Sequence, residues 1–239
     1  MNATTPLNIP ANFTYYLDAS LLKPTVTPQE MQELCAAGRR YGFHLCIHSS
    51  YTALTRRNVG DDFPYAIAAT VGFPFGSGNT AAKVAEAQQA LRDGATEIDM
   101  VMAIGWLRGG PEYYPAVLAD MRAVVEAVRA GGGQGTKVIL ETCYLTQAEK
   151  EIACQLVTES GAEFVKTSTG YGTGGATVED IRLMQRVSGP QVRIKAAGGI
   201  RTLAQCLELI DAGADRLGIG LRATLAILEE AQQYAGPPQ

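Results

Sequence analysis

Eight short, largely apolar runs spaced along the whole chain, with helical periodicity between them, limit what this sequence can fold into. The runs are TYYLD (14–18), FHLCIH (43–48), YAIAATVG (65–72), EIDMVMA (97–103), TKVILET (136–142), EFVKTS (163–168), VRIKAAG (192–198) and DRLGIG (215–220). Most are almost wholly apolar, the pattern of parallel strands covered on both faces. Between them, TPQEMQELCAAGRRYG (27–42) opens on a threonine cap, a proline at the first helical position and Glu30 as the capping-box acid, and closes on Gly42. TAAKVAEAQQALRDG (80–94), LTQAEKEIACQLVTESG (145–161) and TVEDIRLMQRVSG (177–189) repeat that plan, each ending on glycine. AGGGQG (130–135) reads as a loop before the fifth strand, and no linker divides the chain.

Eight β/α units in 239 residues predict an α/β fold: one (β/α)8 TIM-barrel domain over 1–239, with a short N-terminal extension over 1–13. The alternative is an open doubly wound sheet, but no early G-x-G-x-x-G follows a first strand. Hydrophobic residues at 46% and charged residues at 18% supply a core and argue against disorder. A net charge of -4 offers no basic surface for nucleic acid. No apolar run approaches the roughly 20 residues of a membrane span. The opening MNATTPLNIPANF lacks the basic start and apolar centre of a signal peptide. Five scattered cysteines without a C-x-x-C pair read as reduced thiols, which places the protein in the cytoplasm. Two histidines, His44 and His48, exclude a His-rich metal site, and the cysteines lack ligand spacing, so neither metal nor organic cofactor is expected.

Chemistry in such barrels gathers at the C-terminal ends of the strands. The polar residues expected there are Asp18 and Ser20, Cys46, Asp99, Glu141 and Thr142, Lys166 with Thr167 to Thr169, and Lys195. Two lysines on neighbouring apolar strands carry the most information. Burial and a second cation both favour the neutral amine, which adds to carbonyls and forms Schiff bases. The plainer alternative is that each lysine pairs with a carboxylate or reaches solvent. The glycine clusters GTGG (172–175) and AAGGIRT (196–202) lie where barrels bind phosphate, although a tight turn alone explains a Gly-Gly pair.

FVKTSTGYGTGGAT followed by RIKAAGGIRT, with LCIHSS, ATVGFPFG, EIDMVMAIG and KVILET in order before them, resembles the 2-deoxyribose-5-phosphate aldolases, class I aldolases of the (β/α)8 fold. The resemblance covers 16–220, nearly the whole chain. It implies that Lys166 forms the imine with the donor aldehyde. Lys195 keeps that amine neutral, Asp99 relays protons through a water, and Asp18 supports Lys195. It further implies that Thr169, Gly170, Gly198 and Gly199 contact substrate and phosphate, and that Cys46 lines the pocket. Arg201 and Gly220 are added as substrate-side candidates. The implied partners are small aldehydes and sugar phosphates, acetaldehyde and glyceraldehyde 3-phosphate among them. A homodimer and a homotetramer both remain open. Where the family carries serines after the eighth strand, this chain reads Gly218-Ile219-Gly220-Leu221-Arg222. A weaker hold on phosphate is expected, with Leu221 as an apolar wall. A related Schiff-base aldolase or cyclase for an unphosphorylated aldehyde, and an inactive sugar-phosphate-binding barrel, are the other readings.

Overall fold

The computed structural model describes residues 8–235. Eight parallel strands close into a barrel in chain order: β1 (Leu17–Leu21), β2 (His44–His48), β3 (Ile67–Val71), β4 (Glu97–Val101), β5 (Gly135–Ile139), β6 (Phe164–Lys166), β7 (Arg193–Ala197) and β8 (Arg216–Gly220). β8 pairs back onto β1 through Asp18 and Gly218. The helices are α1 (Pro28–Tyr41), α2 (Thr52–Val59), α3 (Thr80–Arg92), α4 (Ile104–Arg108), α5 (Tyr114–Ala130), α6 (Gln147–Ser160), α7 (Val178–Val187), α8 (Leu203–Asp211) and α9 (Leu221–Ala235).

The helix starts follow local chemistry. Thr27 and Glu30 satisfy each other's backbone N–H groups at the start of α1, and Thr146 and Glu149 do the same for α6. α3 begins one residue before expectation in its capping. Asn79, not Thr80, accepts the Ala82 N–H at 2.8 Å. The C-terminal glycines Gly42 and Gly161 take the left-handed conformation that a side chain resists.

The first strand departs from expectation. Residues 13–16 form a 3-10 turn, closed by Phe13 N–H to Pro10 O and Tyr15 N–H to Asn12 O, and the strand runs from Leu17 to Leu21. Tyrosine favours strands, but the turn lets Tyr15 lie edge-on to His44, 4.8 Å between ring centres, under the barrel. Asp18 is therefore the second residue of β1, well inside the barrel. Of the extension expected over 1–13, residues 1–7 lie outside the described residues, while Phe13 is buried in the core.

The two faces of the sheet differ sharply. Leu17, Leu45, Ile47, Ile67, Val71, Ile98, Met100, Val138, Val165, Ile194 and Leu217 point outward and join one apolar layer with the helices. Their inward alternates are Asp18, Cys46, Thr70, Glu97, Asp99, Lys137, Lys166, Lys195 and Arg216, all buried. The expectation of strands apolar on both faces holds for the outer one, while the inner one mixes these charges with Val101, Ile139 and Phe164. Small residues such as Ala68 and Gly218 break the alternation in sequence, which is why the strands read as nearly continuous apolar runs.

His44 sits low in this interior. Its Nδ1 accepts the Ala66 N–H at 2.8 Å. Burial first, then the nearby Arg216 cation, push its pKa from an ordinary 6.5 down to about 4. The unfolded chain therefore takes up a proton that the folded protein refuses. Stability should fall as pH drops from 6.5 to 4, by about 3 kcal/mol in total. His44→Asn, whose Oδ1 can take over the Ala66 bond, should remove that slope in urea melts run across this interval. An unchanged slope would place the proton uptake elsewhere.

Candidate active site

Asp99, on β4, is the hub of the barrel interior. Its Oδ1 accepts from Lys137 Nζ at 2.8 Å. Its Oδ2 accepts from Lys166 Nζ at 2.6 Å and from Lys195 Nζ at 2.7 Å. Cys46 Sγ lies 3.6 Å from the same oxygen. Lys195 also donates to Asp18 Oδ2, and Lys137 reaches Glu97 Oε2 at 2.5 Å. Arg216 Nη1 approaches Glu97 Oε2 at 3.8 Å. The strand register creates these contacts, since Asp99 pairs with Lys137 and Lys166 pairs with Lys195 on adjacent strands.

The electrostatics follow from burial and charge. Burial works hardest against an ionised Asp99, yet Lys137, Lys166 and Lys195 together outweigh it and hold the carboxyl well below the usual range. Asp18 behaves alike: burial opposes its charge, Lys195 leads the cations that overcome it, and its pKa drops to about 2. Burial disfavours the Lys195 ammonium, but Asp18 and Asp99 more than restore it, so Lys195 is a held cation. Lys137 is held likewise by Asp99 and Glu97 against its burial. Lys166 has the smallest share of negative charge: one oxygen, already occupied by Lys195.

A pocket of about 170 Å3 opens over this cluster. Lys166, Lys195, Cys46 and Ser20 form its floor; Leu22, Thr169, Gly170, Gly198 to Ile200 and Gly220 form its rim. The structure thus gathers Lys166, Lys195, Asp99, Asp18, Cys46, Thr169, Gly170, Gly198, Gly199 and Gly220 at one end of the barrel. Arg201 is different: it is exposed on the surface and does not line the pocket. Leu221 is no wall of the site either, because its side chain is buried in the apolar layer as the first residue of α9. The Thr169 hydroxyl donates to Glu141 Oε2, so its proton is engaged within the protein. Gly175 and Gly198 have a packing reason to be glycine. A Cβ on Gly175 would stand 2.2 Å from Gly198 O.

Lys137, Glu97 and Arg216 were not singled out from the sequence. Lys137 obeys the rule that flagged the other two lysines, a cation within an apolar strand, and lacked only a glycine loop after it. Among the described residues no three His, Cys, Asp or Glu side chains assemble as a metal-binding group, and no helix is long and apolar enough to cross a membrane.

Residues 26–229 match the model of the DeoC/LacD family aldolases. The chain belongs to this family. Deoxyribose-phosphate aldolase of Thermococcus gammatolerans is 47% identical over 205 residues, covering 85% of this chain and 90% of that protein. Deoxyribose-phosphate aldolase of Coprothermobacter proteolyticus is 44% identical over 216 residues, covering 90% and 94%. The tetrameric structure of deoxyribose phosphate aldolase from Aeropyrum pernix superimposes with a TM-score of 0.82 at 27% identity, over 92% of this chain and 91% of that one. An aldolase of this family is an enzyme acting on small molecules.

The thiols give a test of the site's geometry. Burial above all, and then the Asp99 charge, push the Cys46 pKa up to about 12, leaving very little thiolate at pH 8. Cys143 is half-exposed at the rim side of Glu141. Iodoacetamide at pH 8 should therefore label Cys143 at least about tenfold faster than Cys46 in the folded enzyme. Peptide mass mapping over time reads this directly, and equal rates would mean that Cys46 is more open than its burial implies.

Proposed function

We propose that this chain is a class I aldolase that reversibly cleaves 2-deoxy-D-ribose 5-phosphate to acetaldehyde and D-glyceraldehyde 3-phosphate through a Schiff base on Lys166. The observation that carries this is the position of Lys166 Nζ. It lies on the pocket floor with a single, shared carboxylate oxygen, while Lys195 and Lys137 are each gripped by two carboxylates. A lysine acts as a nucleophile in its neutral form. The least anchored amine, facing the open space, suits that role, and the two firmly held ammoniums do not.

In the cleavage direction, Nζ of Lys166 adds to the C1 carbonyl of the open-chain sugar and water leaves, giving the imine. Loss of the C3 hydroxyl proton and breakage of the C2–C3 bond push an electron pair into the imine and release glyceraldehyde 3-phosphate. The remaining enamine gains a proton on carbon, and hydrolysis frees acetaldehyde. Asp99, which accepts from both Lys166 and Lys195, serves with Lys195 as the proton relay through a water, and Asp18 holds Lys195. Five free thiols suit a cytoplasmic setting, and a homotetramer is one assembly open to the chain.

Borohydride added with acetaldehyde should leave an N-ethyl group on Lys166, located by mass spectrometry. Lys166→Ala should lower deoxyribose 5-phosphate cleavage by about a thousandfold or more, and Lys195→Ala by about a hundredfold. An adduct on Lys195 instead would reverse the assigned roles. No cleavage by the unaltered protein would reject the substrate assignment.

The phosphate end is the less furnished one. Among the described residues, no cationic side chain apart from Lys166 and Lys195 lines the pocket, so backbone N–H groups around Gly198, Gly199 and Gly220 are left to hold the phosphate. A Cβ on Gly220 would meet nothing within 4 Å, so a serine fits there without strain. Gly220→Ser should raise the preference for deoxyribose 5-phosphate over deoxyribose, as a ratio of kcat/KM, by about tenfold, the worth of one hydrogen bond to a charged group. An unchanged ratio would show that this turn does not set the preference.

A further inference from the structure

Glu141 makes no hydrogen bond to the lysine cluster and feels Lys166 only through space, yet it is held at some cost. It is the only non-glycine residue in the left-handed region among the described residues, at φ 55° and ψ 63°. It is also 2% exposed. Strain of this kind persists where surrounding contacts impose it, and it points to a role for the residue. Burial first raises the carboxyl's pKa, against the Thr169 hydrogen bonds and the Lys166 charge, and among the described residues no cation forms an ion pair with it.

Apart from a long contact from Cys143 Sγ at 4.0 Å, its side-chain partners belong to the loop between β6 and α7. Oε1 accepts the Thr169 N–H at 3.2 Å, and Oε2 accepts the Thr169 hydroxyl. Thr169 Oγ1 in turn accepts the Tyr171 N–H at 3.0 Å. Gly172 packs so closely that a Cβ there would lie 3.1 Å from the Glu141 carboxyl and 2.6 Å from Cys143 Sγ. On the far side of the pocket the Tyr171 hydroxyl donates to Leu22 O at 2.6 Å. The same carbonyl oxygen lies 2.8 Å from His48 Nε2. Phe73 fills the corner, its ring centre 5.6 Å from that of Tyr171 and 5.8 Å from that of His48. The first half of the loop is thus pinned at two points, Thr169 to Glu141 and Tyr171 to Leu22.

We propose that Glu141 is a positioning residue: through Thr169 and the Tyr171–Leu22 clasp it sets the β6–α7 loop as the roof of the acceptor-aldehyde end of the pocket, and it leaves the donor end at Lys166 untouched. The proposal rests on the aldolase reading above. Its mark is a split between two reactions of one enzyme. Exchange of acetaldehyde methyl protons in D2O needs only the donor end. Cleavage of deoxyribose 5-phosphate needs both ends.

Glu141→Gln keeps the size of the side chain but can serve only one of the two Thr169 donors as an acceptor. It should raise KM for deoxyribose 5-phosphate about tenfold, with acetaldehyde exchange changed less than about twofold. Tyr171→Phe, which keeps the ring packing and removes only the bond to Leu22, should raise KM about threefold with the same exchange rate. The unaltered protein is measured first in both assays, and its failure in either strikes the aldolase reading rather than this one. If Glu141→Gln does not fold, Tyr171→Phe decides alone. Equal losses in both reactions with the thermal melt unchanged would show that Glu141 acts on Lys166 through its charge. That result, or a Tyr171→Phe enzyme with unaltered KM, overturns the proposal.

Discussion

A single buried carboxylate organises this barrel. Asp99 receives three lysine side-chain nitrogens on its two oxygens and thereby ties β4 to β5, β6 and β7; Lys195 carries the link on to Asp18 and β1. Taking so many charges out of water is costly, and the attraction among them repays it only when geometry is good. Removing one partner of such a cluster leaves the others unpaired, a loss of roughly 3–5 kcal/mol for a simple buried pair. The strands are therefore locked in register by charge on the inside and by the apolar layer on the outside. A slip of one residue would put lysines against the helices and leucines into the pocket.

This division explains what could be read from the sequence. The β/α alternation, the threonine caps with their Glu30 and Glu149 partners, and the glycine stops are local signals that need no tertiary context. Lys166 and Lys195 stand out because charge within apolar strands is expensive, and Asp18 and Asp99 because they are the carboxylates expected at strand ends beside them. Lys137 satisfied the same criterion, but the following Val138-Ile139-Leu140 lacks the glycine loop that marked the other two lysines, and the pairing across to Asp99 is a matter of barrel register. The start of β1 was misplaced because Tyr15 and Tyr16 favour strand locally, while the 3-10 turn answers to a packing partner, His44, that lies far along the chain. Leu221 and Arg201 show the same limit. Their neighbours in sequence lie at the rim, but the start of α9 sends Leu221 into the core and the loop before α8 leaves Arg201 at the surface.

The site is also built from two materials. Its floor consists of charged side chains fixed on strands, where each ammonium and carboxylate restrains the next. Its rim consists of loop backbone, with Gly170, Gly198, Gly199 and Gly220 presenting main chain to the pocket. Side chains on strands give the precision that bond-making chemistry requires, whereas a rim of loops on a rigid scaffold can vary without disturbing it.

The eighth strand shows how cleanly the two parts separate. Gly218 on β8 faces the cluster closely enough that a Cβ would approach Lys195 Cε to 3.1 Å. Two residues on, Gly220 faces open space. Any side chain at 218 would press on the held ammonium and through it on Asp18 and Asp99. A side chain at 220 would extend into the open pocket. A change that would disturb the charged cluster and one that would enter open space thus lie one repeat of the strand's alternation apart, and the glycine at the end of β8 falls on the second side of it.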